Sequence, residues 1–216
     1  MKNYKIAIIS ILLLALAFVG ISFNFVDDII PTHIGINGKP DQLGSKYFLL
    51  IFVGIMAVIG ITVVILSYSN KLTENYKKYM LLTGVIMEVL FLGLLVLFTV
   101  YGILYTENKE PFNFAAILSP IIGIMMIIVG NYFPKIEKNR TLGIKTYWSM
   151  YNEVTWQKTH RFGGFASMIL GVVLVIIGLI FKDIVSAIIV PCLLILWFFI
   201  ITVASYIYYK QEIIKK

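Results

Sequence analysis

Residues 80–105 read MLLTGVIMEVLFLGLLVLFTVYGILY, an apolar run with one charged side chain, Glu88. A helix that crosses a bilayer needs about 20 predominantly apolar residues, and this run is long enough. Backbone surrounded by lipid finds no water and must satisfy its own N–H and C=O groups, which a helix does. The run therefore predicts a transmembrane helix.

Five further runs of the same character lie at residues 6–26, 47–69, 114–133, 164–181 and 184–208. Hydrophobic residues make up 60% of the 216-residue chain and charged residues 13%, and the mean hydropathy is +0.93. The runs lack the period-two alternation that a lipid-facing barrel strand requires. We therefore predict an all-α polytopic membrane protein with about six transmembrane helices, the first of them an uncleaved N-terminal helix.

Basic residues are distributed unevenly between the two sides of such a bundle. If the N-terminus is cytoplasmic, the outside segments hold only four of the 18 lysines and arginines: Lys39, Lys46, Lys109 and Lys182. Basic residues collect in short cytoplasmic loops, so this asymmetry predicts that both termini are cytoplasmic. It also accounts for the net charge of +7 through contact with the lipid bilayer, without direct binding of nucleic acid.

The first polar loop, residues 27–46, reads DDIIPTHIGINGKPDQLGSK and is predicted to lie outside. Asn37-Gly38 favours a type I′ turn, and Ile34 and Ile36 stand before it. We predict a structured cap that contains a short hairpin.

The signature segment, residues 131–163, is predicted to lie inside and reads NYFPKIEKNRTLGIKTYWSMYNEVTWQKTHRFG. Ser149 suits an N-cap and Glu153 a first helical turn, so we predict a short helix that runs towards Arg161. Its aromatic and basic side chains suit a helix in the headgroup layer: Trp148, Tyr151, Trp156, Lys158, His160 and Arg161. Simple anchoring and partner binding both remain open for this segment.

Glu88 is the only ionisable residue well inside a predicted span. An acidic side chain at the centre of a membrane helix costs about 2.5 to 3.5 kcal/mol on insertion scales. We therefore expect it to face the bundle interior and to have a partner. Two interpretations stay open, a proton or ligand site and a neutral or hydrogen-bonded carboxyl that locks two helices together.

The chain has no recognisable catalytic or metal-binding motif. His33 and His160 are predicted on opposite sides of the membrane, so they cannot share a zinc ion, which needs three or four ligands. No predicted span places a histidine or lysine beside a serine, as an activated nucleophile requires. Cys192 is the only cysteine and is read as a packing residue. We expect a protein that is not an enzyme and needs no metal or cofactor.

Glycines recur every seven residues in the predicted fifth helix, at Gly164, Gly171 and Gly178. Such a stripe of small residues lets a neighbouring helix approach closely. Gly123 and Gly130 in the predicted fourth helix have the same spacing and the same interpretation, which is ordinary helix packing.

Several residues of the signature segment occur in the order found in one bacterial family. They are Gly130-Asn131, Glu137-x-Asn139, Gly143-Ile144-Lys145-Thr146-x-Trp148, Asn152-Glu153-x-x-Trp156-x-Lys158 and His160-Arg161. Together with the ending from Ala204 to Lys210, this pattern resembles the SdpI family of bacterial membrane proteins, whose founder gives immunity to a secreted killing toxin. Lys145 departs from the usual arginine; it keeps the charge but loses the bidentate fork.

The first polar loop carries a second resemblance, in Pro31-x-His33, Gly38, Pro40-Asp41 and Lys46. These residues are similar to the outer loop of an N-terminal membrane domain that is often fused to the SdpI module. We expect an N-terminal membrane domain at residues 1–110 and an SdpI-like membrane domain at residues 111–216.

The resemblance implies a non-enzymatic protein of the bacterial plasma membrane that neutralises a secreted or membrane-active peptide toxin. When occupied, it would also hold an ArsR-type transcriptional repressor at the inner membrane face. His33, Gly38, Asp41 and Glu88 are then the candidates for binding the toxin or another ligand. The candidates for partner binding or for a structural role are Asn131, Asn139, Gly143, Lys145, Trp148, Glu153, Trp156, Lys158, His160 and Arg161.

Two other classes remain open. One is a small proton- or solute-coupled transporter that uses Glu88 and the region of Asn131, and the other is an envelope-stress membrane protein without a toxin. Replacing Glu88 by glutamine separates a proton-coupled transporter from the others. The sequence defines neither the toxin nor the oligomeric state.

Overall fold

The computed structural model describes residues 1–35, 39–106, 112–181 and 184–214. These ranges contain six helices that are long and apolar enough to cross a membrane. In chain order they are α1 (Lys2–Ser22), α2 (Leu49–Leu66), α3 (Glu74–Thr106), α4 (Phe114–Tyr132), α5 (Glu153–Ile180) and α6 (Ile184–Ile214). The prediction of an all-α polytopic protein with six spanning helices is confirmed, and its orientation stays a prediction.

Two helices begin well before the apolar runs that predicted them. α3 begins at Glu74 and α5 at Glu153, each several residues earlier than the hydropathy indicated. Hydropathy marks the lipid-facing part of a helix, whereas polar turns extend the helix beyond it. At the start of α5 the extension has a clear cause, a capping box in which Asn152 and Thr155 exchange hydrogen bonds between side chain and backbone.

Between α1 and α2 lies an antiparallel hairpin of two strands, β1 (Ile29–Ile34) and β2 (Pro40–Ser45). The predicted hairpin is therefore confirmed, while its predicted turn at Asn37-Gly38 lies outside the described residues. A short 3-10 helix, Lys46–Phe48, follows β2 and leads directly into α2.

The chain divides into two compact units, residues 1–114 and 115–216. In the first unit, α3 packs against α1, α2 and β1. The core of this unit consists of Ala15, Val19, Val26, Ile30, Leu49, Phe52, Val53, Met56 and Leu95. A two-stranded hairpin is marginal by itself, but Ile30 of β1 belongs to this core, so the helices hold the hairpin in place.

In the second unit, α4 and α5 meet through glycines. A Cβ added to Gly130 would lie 2.7 Å from the carbonyl oxygen of Gly164, and one added to Gly164 would lie 2.5 Å from that of Gly130. Gly123 and Gly171 face each other in the same way. Larger side chains would push the two backbones apart, so the predicted small-residue stripe is confirmed as helix packing. α5 also packs against α6, through Leu170, Leu174, Ile177 and Val190.

Candidate functional site

The signature segment forms a compact loop in front of α5, and Asn139 shapes its first turn. The side-chain amide donates to the carbonyl oxygen of Glu137 at 2.7 Å. The side-chain oxygen accepts the backbone N–H groups of Thr141 at 2.8 Å and Leu142 at 2.6 Å. These bonds are those of an Asx-turn, which indicates a structural role for Asn139.

Gly143 brings this loop against His160. Its φ of 99° lies in the left-handed region, and an added Cβ would collide with Nε2 of His160. The N–H of Ile144 donates to that nitrogen at 2.9 Å, and Nδ1 lies 2.9 Å from the carbonyl oxygen of Trp156. Because Nε2 accepts, the proton is on Nδ1 and is donated to Trp156. His160 is therefore a fully buried, neutral link between loop and helix.

Trp156 is fully buried beside His160. Its indole N–H donates to the carbonyl oxygen of Ile136 at 2.7 Å, and its ring stacks on the imidazole with centroids 3.9 Å apart. The two side chains therefore face the protein interior and not outward, as contact with lipid headgroups would require. Their spacing of four residues puts them on one face of α5, and the loop covers that face.

Ser149, the predicted N-cap, does not begin a helix. Its buried hydroxyl accepts the N–H of Thr146 at 2.9 Å and donates to the carbonyl oxygen of Ile144 at 2.8 Å. Asn152 is the N-cap instead, and α5 continues from Glu153 without a break, so the predicted short helix is also wrong. Serine hydroxyls stabilise turns as well as helix starts, which is why the residue type alone did not distinguish the two.

Side-chain contacts join the signature segment to the last turns of α6. They are a hydrogen bond of 2.8 Å between the hydroxyls of Thr146 and Ser205, an ion pair of 2.8 Å between Lys158 and Glu212, and an edge-on ring contact of 5.2 Å between Trp148 and Tyr206. Lys158 and Trp148 are thus both engaged within the second unit, in contacts that hold α6 against the start of α5 and against the loop.

Four signature residues are exposed, namely Asn131, Lys145, Glu153 and Arg161. The Lys145 ammonium closes the loop by donating to two backbone carbonyl oxygens, at 2.9 and 3.3 Å. Each of these bonds to a single carbonyl oxygen needs one N–H donor and no bidentate fork, so lysine is compatible with this position. Glu153, Gln157 and Arg161 are spaced by four residues and form an exposed face of α5. Within the described residues, these three side chains make no hydrogen bond or ion pair.

The hairpin brings together two of the predicted ligand-binding residues. Nδ1 of His33 lies 2.5 Å from a carboxylate oxygen of Asp41, and the two side chains are 60% and 51% exposed. Gly38, the third candidate of this loop, lies outside the described residues. At the base of the hairpin, the Lys46 ammonium pairs with the carboxylate of Asp28 at 2.9 Å, which fixes β2 next to the start of β1.

Glu88 does not join the hairpin pair but is fully buried among α1, α2 and α3. A Cβ added to Gly60 would lie 2.7 Å from its Oε1 and 2.9 Å from Ile8. In the described part of the chain, no donor reaches either carboxyl oxygen. The expected interior position is confirmed, whereas the expectation of a hydrogen-bonding partner is wrong for these ranges. The same ranges contain no group of three histidine, cysteine, aspartate or glutamate side chains that could hold a metal ion.

Thr146, Asn152 and Ser205 belong to the family pattern but were not among the candidate site residues, and Thr155 was missed altogether. For the start of α5 a signal was present, because Asn152-x-x-Thr155 is a capping-box pattern with threonine in the last position. No local signal marks Thr146 and Ser205, which are 59 positions apart.

Residues 135–207 match the model of the SdpI/YfhL protein family, a range that contains most of the loop, all of α5 and the first part of the α6 contacts. This region is similar to the SdpI/YfhL family. Residues 10–57, which include the hairpin, match a domain of unknown function, DUF1648. The SdpI/YfhL resemblance predicted from the signature residues is thus confirmed, and the chain is a multi-pass protein of the bacterial cell membrane.

The similarity also extends beyond the SdpI/YfhL region. The protein named Immunity protein SdpI from Bacillus subtilis (strain 168) is 26% identical over 207 residues, which cover 94% of this chain and 96% of that protein. No solved structure matches the chain.

Proposed function

We propose that this chain is a bacterial membrane immunity protein that gives resistance to a secreted or membrane-active peptide toxin, without catalysing a reaction. One observation carries this proposal: the similarity to a protein named as an immunity protein covers almost the full length of both chains. A shared SdpI/YfhL module alone would support a shared fold. Here the similarity also includes the hairpin, both units and the signature segment, which supports a shared role.

The toxin would bind at the hairpin. In the described residues the sheet has only two strands, so the outer edge of β2 has free backbone groups with which an extended peptide can pair. The exposed side chains of His33 on β1 and Asp41 on β2 lie on the same hairpin and offer a polar pair to a peptide side chain. Because Ile30 anchors β1 in the core of the first unit, toxin binding would act directly on the helices.

A second role would be to hold an ArsR-type repressor at the membrane. The exposed face of α5, formed by Glu153, Gln157 and Arg161, supports this proposal because its charges have no partner within the described residues. Of the other signature residues, Asn131 is exposed at the end of α4, and the rest are at least partly buried or engaged in contacts with the loop or with α6. A repressor would therefore dock on this face, and the loop would keep α5 in the correct position.

The proposal is tested by survival of a toxin-sensitive bacterium that expresses the chain and is challenged with an SDP-like peptide toxin. The test variant is the double change His33→Ala and Asp41→Ala, and the matched control is Gln42→Ala, an exposed β2 residue opposite His33. At equal membrane levels, we expect protection by the intact chain and by the control, and loss of protection in the double variant. Absence of protection by the intact chain would overturn the immunity function. Protection by all three would move the toxin site away from the hairpin.

A small proton-coupled transporter is the second candidate, and one observation favours it, the buried Glu88 without a hydrogen-bonding partner. An immunity protein does not require a proton to cross the membrane. Full toxin protection by Glu88→Gln would therefore support immunity, whereas loss of protection at an equal membrane level would favour a transport mechanism.

A further inference from the structure

Three helices of the first unit surround the carboxyl group of Glu88. Its carboxyl occupies the space left by the missing side chain of Gly60 on α2, with Ile8 of α1 beside it. One turn earlier on α3, Gly84 lies close to Val63 of α2 and to the same Ile8 of α1. Gly60 and Ile8 thus lie close to the carboxyl group, and Gly84 allows α3 to lie close to α1 and α2 one turn away.

The surroundings of this carboxyl contain no compensating charge. α2 has no titratable side chain, and those of α1 are Lys2, Tyr4 and Lys5 near its first turn. Lys5 is engaged elsewhere, with its ammonium 3.4 Å from the ring centre of Tyr68. On α3 the other titratable groups lie near the two ends, as Glu74, Tyr76, Lys77, Lys78, Tyr79, Tyr101 and Tyr105, and Lys77 pairs with Glu74. None of these groups hydrogen-bonds to Glu88.

An ionised carboxylate in such a place is strongly unfavourable, because it loses water and gains neither donors nor a counter-ion. A bound metal would not resolve this, since hard cations require several oxygen ligands. No group of three candidate ligand residues is present in the described ranges. A proton is the one cation that a single isolated carboxyl can bind without further ligands.

We propose that Glu88 and Gly60 form a proton-binding site, in which the carboxyl is neutral while α2 and α3 are packed together and releases its proton when they separate. This inference is independent of the proposed immunity function. The packed unit holds one proton more than the opened one, so raising the pH favours opening and lowering it favours packing. The contact therefore links the arrangement of the first unit to the proton concentration.

The first experiment measures the protonation state directly. Infrared spectra of the full chain in lipid nanodiscs at neutral pH should contain the carbonyl band of a carboxylic acid without hydrogen bonds, and Glu88→Gln should lack it. Gly60→Ala should shift or remove the band because its Cβ would displace the carboxyl. Gly54→Ala on the same helix, where an added Cβ meets nothing within 4 Å, should keep it. A carboxylate spectrum for Glu88 in the intact chain would overturn the proposal.

The second experiment measures how the stability of the protein depends on proton binding at Glu88. The thermal unfolding midpoint of the intact chain should fall as pH rises from about 5 to 9, and the fall should be smaller in Glu88→Gln, whose amide binds no proton. An equal dependence on pH in both proteins would overturn the coupling even if the acid band is present. Because both readouts concern Glu88 in purified protein, neither depends on the outcome of the toxin assay.

Discussion

The imidazole of His160 lies between two partners, the indole of Trp156 that stacks on it at 3.9 Å and the N–H of Ile144 that donates to it at 2.9 Å. The same ring thus contacts the helix that carries it and the loop that precedes it. Signature residues of the SdpI/YfhL region therefore serve first to fix the loop on α5, and only the side chains that face outward are free for a partner.

Replacing Trp156 by alanine should destabilise the second unit by about 3 to 5 kcal/mol, the usual cost of removing a large buried aromatic side chain. The change also leaves the Ile136 carbonyl oxygen without its donor. Thermal unfolding in detergent measures the loss. Tyr147→Ala, which removes a side chain that is 81% exposed, is the control and should unfold like the intact protein. Equal midpoints for the two variants would contradict the buried position of Trp156.

Gly143→Ala should loosen the loop, because alanine at a φ of 99° is strained by about 1 to 3 kcal/mol and its methyl group meets His160. Limited proteolysis of the membrane-embedded protein should show faster cleavage between residues 139 and 150. Gly20→Ala on α1, where the added Cβ meets nothing within 4 Å, should leave the cleavage rate unchanged. A loop that is equally protected in both variants would show that the contact with His160 is dispensable.

Gly171→Ala should separate α4 from α5, since the added methyl group would meet the carbonyl oxygen of Gly123. Overpacking of this kind typically costs about 1 to 3 kcal/mol. The midpoint of thermal unfolding in detergent should fall accordingly. The reference is Gly93→Ala on α3, where an added Cβ meets nothing within 4 Å. A Gly171 variant as stable as the reference would mean that the two helices can move apart without cost.

Alanine at both Glu153 and Arg161 should leave stability within about 0.5 kcal/mol, because neither side chain makes a hydrogen bond or ion pair with another described residue. Toxin protection should also remain. Recruitment of an ArsR-type repressor to the membrane should be lost, as measured by co-sedimentation with membrane vesicles. The variant Gln42→Ala, on the hairpin, should keep recruitment. Normal recruitment by the double alanine variant would exclude this face of α5 as the docking surface.

The fold was largely predictable, because length and hydropathy determine which segments can cross a bilayer. Residues 80–105 predicted α3, and the glycine spacing of seven predicted the contact between α4 and α5. Helix starts were less predictable, since the polar turns of α5 have no hydropathy signal. Ser149 and Asn152 are both good N-caps, and only the surrounding loop determines which of them begins the helix.

The site was predictable in composition but not in arrangement. The sequence indicated that Trp156 and His160 matter, and aromatic residues beside cations suggested the headgroup layer. Their burial depends on the backbone of Ile136 and Ile144, whose contribution is independent of side-chain type. The isolation of Glu88 was likewise invisible in sequence, because it follows from which residues of α1 and α2 face α3.

The hydrogen bond between Thr146 and Ser205 has a consequence for synthesis of the protein, because the two residues are 59 positions apart. The loop precedes α5 in the chain, yet this contact can form only after α6 has been synthesised as far as Ser205. During that interval the loop is held by its contacts with α5 but lacks this attachment to α6. Chains that end before Ser205 would keep the contacts of the loop with Trp156 and His160 but lack this attachment, so we expect limited proteolysis to cleave their loops faster.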